Sequence, residues 1–317
     1  MIHSLLRAGF IALSRSRIVG RLATSSGLAW RGARRFVAGT TIDEAIAVVA
    51  ALNEADLRVT LDHLGENVAT RAEAEASADA YIEALDRIRA AGVYSGISLK
   101  LTALGLDQGD ALAEDLLRRV LERAAIFDPP VFVRIDMEGS PYTQRTLDIF
   151  RRVRADHGHV GIVIQSYLRR SDDDIADLIA LGAPVRLVKG AYLEPEAIAY
   201  PDKAEVDAAF VRQARALLAP EARARGVFAA LATHDEVIID WAKAHARAHG
   251  IPPDAFEFQM LYGIRRDLQR ALVAEGYRMR VYVPYGRQWY PYFMRRLAER
   301  PENLAFILRG VLREGRA

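Results

Sequence analysis

The stretch VFVRID at 131–136, a helical segment at 141–156 and then VGIVIQ at 160–165 decide the fold class. Both apolar runs are short and rich in β-branched side chains, as strands covered on both faces require. The segment between them is long enough for a helix. A strand–helix–strand unit places two parallel neighbours in one sheet through a right-handed crossover.

Working outward, the unit repeats. LRVTLD at 57–62 and GISLKL at 96–101 precede it. VRLVK at 185–189, GVFAALA at 226–232, AFEFQM at 255–260 and MRVYV at 279–283 follow it. Helical stretches at 71–91, 108–125, 171–181, 203–219, 235–249 and 263–275 alternate with these runs. Ser171 with Asp172–Asp174 reads as the cap of its helix. Eight such units in about 270 residues match an α/β fold of the (β/α)8 TIM-barrel type. The rival, an open doubly wound sheet, normally carries a glycine-rich phosphate loop after its first strand. Neither G-x-G-x-x-G nor G-x-x-x-x-G-K occurs here.

The composition, 51% apolar and 26% charged, is that of a globular protein. No run of about 18 uncharged apolar residues suits a bilayer span. With no cysteine, disulfides, iron–sulfur ligation and thiol nucleophiles are excluded. Charge is unevenly spread. Residues 1–40 hold seven arginines (Arg7, Arg15, Arg17, Arg21, Arg31, Arg34, Arg35) and no acid, so the remainder is net acidic. That balance speaks against a nucleic-acid binder. The division expected is a basic, amphipathic helical arm at 1–40 and a catalytic barrel at 41–317. The arm either packs on the barrel or attaches peripherally to anionic lipid. It also shares the acid-free, arginine- and serine-rich character of organelle transit peptides, and it carries no convincing signal-peptide cleavage site.

Barrel active sites form at the carboxyl ends of the strands. Glu66 follows the first run, Lys100 ends the second, Asp136 the third, and Gln165 and Tyr167 the fourth. Lys189–Tyr192 follow the fifth, Thr233 and His234 the sixth, Gln259 and Tyr262 the seventh, and Tyr282–Tyr285 end the eighth. One polar strand end means little, but recurrence in all the units points to a site. After YVPYG comes a helix at about 289–299 carrying Tyr292, Arg295 and Arg296. Spacings of three and four share a helical face. Paired guanidiniums match a carboxylate's two oxygens. In isolation such a pair reads as a solvated basic face; beside a barrel strand end it reads as a carboxylate grip. Metal chemistry is not expected, because His245 and His249 sit in a polar helix without a carboxylate ligand nearby. No nucleophile elbow or H-E-x-x-H motif occurs. Lysines at strand ends leave a Schiff-base aldolase or lyase as the enzymatic rival. A membrane-binding scaffold is the non-enzymatic one.

The blocks TLDHLGENV, ISLKLTALG, VRIDMEGS, IVIQSYLRR, RLVKGAYLEP, ATHD, FEFQMLYG and YVPYGRQWYPYFMRRLAERPEN, spanning about 57–309, resemble proline dehydrogenase of the short monofunctional bacterial form. The resemblance implies oxidation of L-proline to Δ1-pyrroline-5-carboxylate, with hydride passing from C5 to N5 of non-covalent FAD. A membrane quinone would then take the electrons, in the first step of proline catabolism to glutamate. It implies that Lys100, Arg295 and Arg296 bind the proline carboxylate, while Tyr192, Leu261, Tyr282 and Tyr292 wall the ring. Asp136 and Arg186 would be catalytic, Arg186 lying beside the flavin. Met137, Gln165, Lys189, Gly190 and Ala191 would run along the cofactor, with Thr233 and His234 at its phosphate or adenosine part. Glu66 would gate the site against Arg295. The enzyme would be cytoplasmic or peripheral at the inner face of the membrane. Bulky Tyr282 favours proline over hydroxyproline. Two departures stand out. Asp235 occupies a position where many members carry Asn. No aldehyde dehydrogenase domain or catalytic cysteine follows the barrel, so a separate pyrroline-5-carboxylate dehydrogenase would take the product.

Overall fold

The structure, a computed structural model, describes residues 27–66 and 68–299. Most of the expected arm, residues 1–26, lies outside the described residues, as do 300–317. Two helices, α1 (Gly27–Ala33) and α2 (Ile42–Asn53), precede β1 (Arg58–His63). There follow α3 (Arg71–Ala90), β2 (Ser95–Leu99), a 3-10 turn (Leu101–Leu104) and α4 (Asp110–Ala125). Next come β3 (Val133–Ile135), α5 (Ser140–Arg154), β4 (Val160–Gln165), α6 (Ser171–Ala180) and β5 (Val185–Val188). Then α7 (Lys203–Leu218), α8 (Pro220–Ala224), β6 (Ala229–Ala232), α9 (Glu236–Ala248) and β7 (Phe256–Leu261) lead to α10 (Arg266–Ala274), β8 (Arg278–Tyr285) and α11 (Trp289–Glu299).

The strands close into one barrel in the order β1 to β8, with β1 pairing β8 in parallel. The expected (β/α)8 architecture is therefore the fold. Each strand puts one set of alternating residues against the helices. Leu61, Ile97, Val133, Ile162, Leu187 and Phe258 are buried in that shell. In α3, Ala74, Ala78, Tyr81, Leu85 and Ile88 form the facing stripe at helical spacing. Reciprocal capping boxes start α2 (Thr41 with Glu44) and α3 (Thr70 with Glu73).

The inward-facing set departs from the apolar layers usual in such barrels. Arg280 pairs with Glu257 at 2.7 Å, and Gln259 donates to that same carboxylate at 2.5 Å. Arg186 donates to Gln259 at 2.5 Å and to Asp136 at 2.7 Å. A continuous polar ladder thus climbs the barrel interior from β7 and β8 to the ends of β3 and β5. Burial at this depth is tolerable because each charge meets a partner.

One sequence-level expectation changes, and one helix is added. Ser171 does not cap α6; it is the first helical residue, and its hydroxyl donates to the carbonyl of Gln165 at 2.6 Å. Asp172 and Asp174 serve as ion-pair partners of Arg212 and Arg170. The helix α2 between arm and barrel was not anticipated, although its T-x-x-E start is a legible signal.

The described end of the arm lies on the barrel. Ala33, Phe36 and Val37 are buried with Leu64, Trp289, Tyr290, Tyr292 and Phe293. Gly263 shows how close the approach is, since a Cβ there would stand 1.8 Å from the Arg35 carbonyl oxygen. Its φ of +78° suits glycine as well. This aromatic packing braces α11, the helix that carries both arginines.

Candidate active site

A cavity of about 570 Å³ lies at the carboxyl ends of the strands. Asp136, just beyond β3, lines it. Its Oδ1 accepts from Ser98 at 2.6 Å and from Arg186 at 2.7 Å, and its Oδ2 accepts from Tyr282 at 2.9 Å. Arg186 is 4% exposed, and its guanidinium lies 5.4 Å from the Tyr282 ring centroid. Charge, hydroxyl and ring are thus locked together by one carboxylate.

Lys100, at the end of β2, points its ammonium among acidic groups. It lies 3.6 Å from Asp62, 3.6 Å from Glu66 and 3.7 Å from Asp136. Burial acts to lower its pKa, but these carboxylates, Asp62 first, hold it well above the ordinary lysine value. A lysine so held stays charged and makes a poor nucleophile, which counts against the Schiff-base alternative. Glu66 also accepts from Arg295 at 2.9 Å. Burial would raise the Glu66 carboxyl, yet Lys100 and Arg295 outweigh it and leave its pKa below the usual value. Arg296 projects from the same helix, its guanidinium 5.2 Å from the Tyr292 ring centroid.

The other end of the cavity is built by β5, β6 and α9. Gly190 adopts φ +123°, and a Cβ there would reach within 2.3 Å of the Tyr167 ring, so only glycine fits. Lys189 pairs with Asp207 and, at 2.8 Å, with Asp235. Lys203 joins the same two carboxylates. Asp235 caps α9 by accepting from Val237 at 3.2 Å, and its pKa is lowered to about 2, first by Lys189. His234 accepts from the Leu261 amide at 3.1 Å through Nε2. A helix start with two ammonium groups is a place where phosphate oxygens are stabilised.

A family model for proline dehydrogenase matches residues 45–309. The chain belongs to the proline dehydrogenase family. It is 44% identical over 310 residues to proline dehydrogenase 1 of Bacillus subtilis, covering 98% of this chain and all of that protein. It is also 44% identical over 318 residues to proline dehydrogenase of Deinococcus radiodurans, with 99% and 100% covered. A solved structure of proline utilization A from Bdellovibrio bacteriovorus, inactivated by N-propargylglycine, superposes with a TM-score of 0.78 at 30% identity. It covers 85% of this chain and 32% of that one. The chain is thus an oxidoreductase of the proline dehydrogenase family, on the barrel expected of it.

Every residue to which the family resemblance gave a role lines this one cavity, whereas the strand-end tyrosines Tyr167, Tyr262 and Tyr285 are not among its lining residues. Glu66, Lys100, Tyr292, Arg295 and Arg296 gather at one end, around Asp136, Arg186, Leu261 and Tyr282. Tyr192 neighbours Glu66, Lys100 and Arg295 as well, and Met137, Gln165, Ala191, Thr233 and His234 complete the lining. Gln165 is aimed by its donation to the Glu138 carbonyl at 3.0 Å. Sequence reasoning assigned no role to Asp62, Ser98, Lys203 or Asp207. Asp62 was the most findable, being an acid inside the strand LRVTLD.

Glu138 was missed as well. It is 4% exposed and accepts from the Thr102 amide at 3.1 Å and from the Thr102 hydroxyl at 2.5 Å. Burial pushes its pKa up to about 7, against the pull of those bonds. A carboxyl raised on folding contributes most below its unfolded pKa, and that contribution is lost as pH rises through about 7. The loss is about 3 kcal/mol at full ionisation. Glu138→Gln can still accept from the Thr102 amide and can donate to the Thr102 hydroxyl oxygen, without the charge. The variant should match the wild type at pH 5 and exceed it at pH 8 in urea unfolding. Equal responses of the two proteins to pH would remove Glu138 from this role.

Proposed function

We propose that this chain oxidises L-proline to Δ1-pyrroline-5-carboxylate, with non-covalent FAD in the cavity and a membrane quinone as electron acceptor. One observation carries the reading. The Arg295–Arg296 helix and Lys100 meet an aromatic wall in the same cavity that Lys189, Lys203, Thr233 and His234 line beside the start of α9. A volume of about 570 Å³ suits a ligand far larger than one amino acid. The donor set fits a flavin dinucleotide, with Lys189, Lys203, Thr233 and His234 for phosphate and adenosine. Met137, Gln165, Arg186, Gly190 and Ala191 suit the ring system.

Bound FAD would supply the two-electron oxidant that takes hydride from proline C5. The chain's own part is to bind, orient and exclude water. Arg295, Arg296 and Lys100 hold the substrate carboxylate. Tyr192, Leu261, Tyr282 and Tyr292 wall its ring, and the bulk of Tyr282 disfavours a hydroxylated ring. Asp136 and Arg186 keep the pocket's charge fixed. Glu66 releases Arg295 when the substrate carboxylate replaces it. The proline amine loses its proton to solvent before binding, so kcat/KM rises with pH toward the amine's pKa.

The remaining features of this reading concern setting. In the division into an arm at 1–40 and a barrel at 41–317, the described end of the arm packs through Phe36, and the arm's arginines would meet the inner, cytoplasmic face of the membrane. Among the described residues no helix is long and apolar enough to cross a membrane. A separate pyrroline-5-carboxylate dehydrogenase consumes the product. The decisive measurement is the absorption spectrum of purified protein. A flavin spectrum bleached by L-proline without oxygen is expected. A flavin-replete sample that proline leaves unbleached would defeat the proposal.

A further inference from the structure

We propose that Asp62 is a positioning residue, the dedicated counter-charge that keeps the Lys100 ammonium in place and ionised while substrate enters and leaves. The inference rests on the proline reading of the same cavity. Three carboxylates surround Lys100, but they are not equivalent. Glu66 is shared with Arg295, and Asp136 is committed to Ser98, Arg186 and Tyr282. Asp62, on β1, is 1% exposed, and neither of its oxygens is hydrogen-bonded. The Tyr282 hydroxyl neighbours both aspartates, but its one proton goes to Asp136 at 2.9 Å. The charge partner left to Asp62 is Lys100, at 3.6 Å.

Position separates Asp62 from Glu66. Glu66 is 21% exposed in its side chain and pairs with an arginine that the substrate carboxylate must engage. Its hold on Lys100 therefore changes with occupancy. Asp62 borders the same cavity but is only 1% exposed, and it is not paired with an arginine that a ligand must engage. A buried lysine without a fixed anion loses its proton readily. A lysine held only by a moving anion would swing with it. Asp62 supplies the constant part of the field. Among the groups facing Lys100, namely Asp62, Glu66, Asp136 and Tyr282, its charge does most to raise the lysine's pKa. Burial, with Asp136 and Glu66 nearby, leaves the Asp62 carboxyl above its usual value, and the Lys100 ammonium is the main charge that draws it back down.

The test is a double-mutant cycle of Asp62→Asn and Lys100→Met, read by proline kinetics and by calorimetric binding of cyclopentanecarboxylate, a ring carboxylate lacking the amine. Asp62→Asn should raise KM and the analogue's Kd by about tenfold, with a smaller change in kcat. The alkaline limb of kcat/KM should move to lower pH. In the Lys100→Met background the same substitution should have almost no effect. Equal factors in both backgrounds would overturn the proposal, whereas a wild type inert to proline would overturn the functional reading instead. Should Asp62→Asn not fold, Lys100→Met tests the pair from the other side. Its unpaired Asp62 carboxyl, raised on folding, makes the melting deficit against wild type larger at pH 8 than at pH 5. A deficit independent of pH would refute the pairing.

Discussion

Arg296→Met lowers kcat/KM for L-proline by about 30-fold to several thousand-fold, mainly through KM. The range follows from roughly 2–5 kcal/mol for removing one partner of a desolvated charge pair, at 1.36 kcal/mol per tenfold. Arg295→Met should cost less. Arg295 already has an anion in Glu66 at 2.9 Å, and that bond must break before the substrate carboxylate takes its place. Part of what Arg295 gains from substrate is therefore offset by what it gives up. Arg296 lies against Tyr292, on a helix braced by the Phe36–Phe293 and Trp30–Trp289 contacts, and reaches the cavity from a fixed base. Steady-state kinetics on both variants, with flavin content checked, decide the point. An Arg296→Met enzyme with wild-type KM would show that the carboxylate lies elsewhere.

The barrel was legible because its outer layer obeys simple patterning. β4, VGIVIQ, is buried throughout, and the helices between strands carry regular apolar stripes. The carboxylate grip was legible for the same reason, since helical spacing puts Tyr292, Arg295 and Arg296 on one face. What sequence could not show was pairing across the barrel. Arg280, Glu257, Gln259, Arg186 and Asp136 come from four segments far apart in sequence, and only the closed register stacks them into a ladder. Asp62 illustrates the same limit. In LRVTLD it reads as the polar end of a strand, and its meaning depends on Lys100 from the neighbouring strand. Asp235 shows a second kind of limit. It marked a departure from the family pattern, and the structure gives it local work as a helix cap shared by Lys189 and Lys203.

The second large effect belongs to Asp136→Ala, and it should appear in stability and activity together. The substitution removes the acceptor of three hydrogen bonds and leaves Arg186, 4% exposed, without its anion. Stranding one partner of a buried ion pair costs about 3–5 kcal/mol, which lowers the melting temperature by roughly 6 °C or more. With Arg186 and Tyr282 released, the substrate ring loses its register, and kcat/KM should fall at least about 100-fold. Tyr282→Phe provides the contrast. It removes one of the three bonds and leaves the Arg186 pair intact, so its stability loss should stay within about 1–2 kcal/mol. Thermal melts and proline kinetics on the two variants separate the charge from the hydroxyl. If Asp136→Ala melts like the wild type, the ladder does not end at Asp136, and Arg186 must draw its compensation from Gln259 and Ser98 alone.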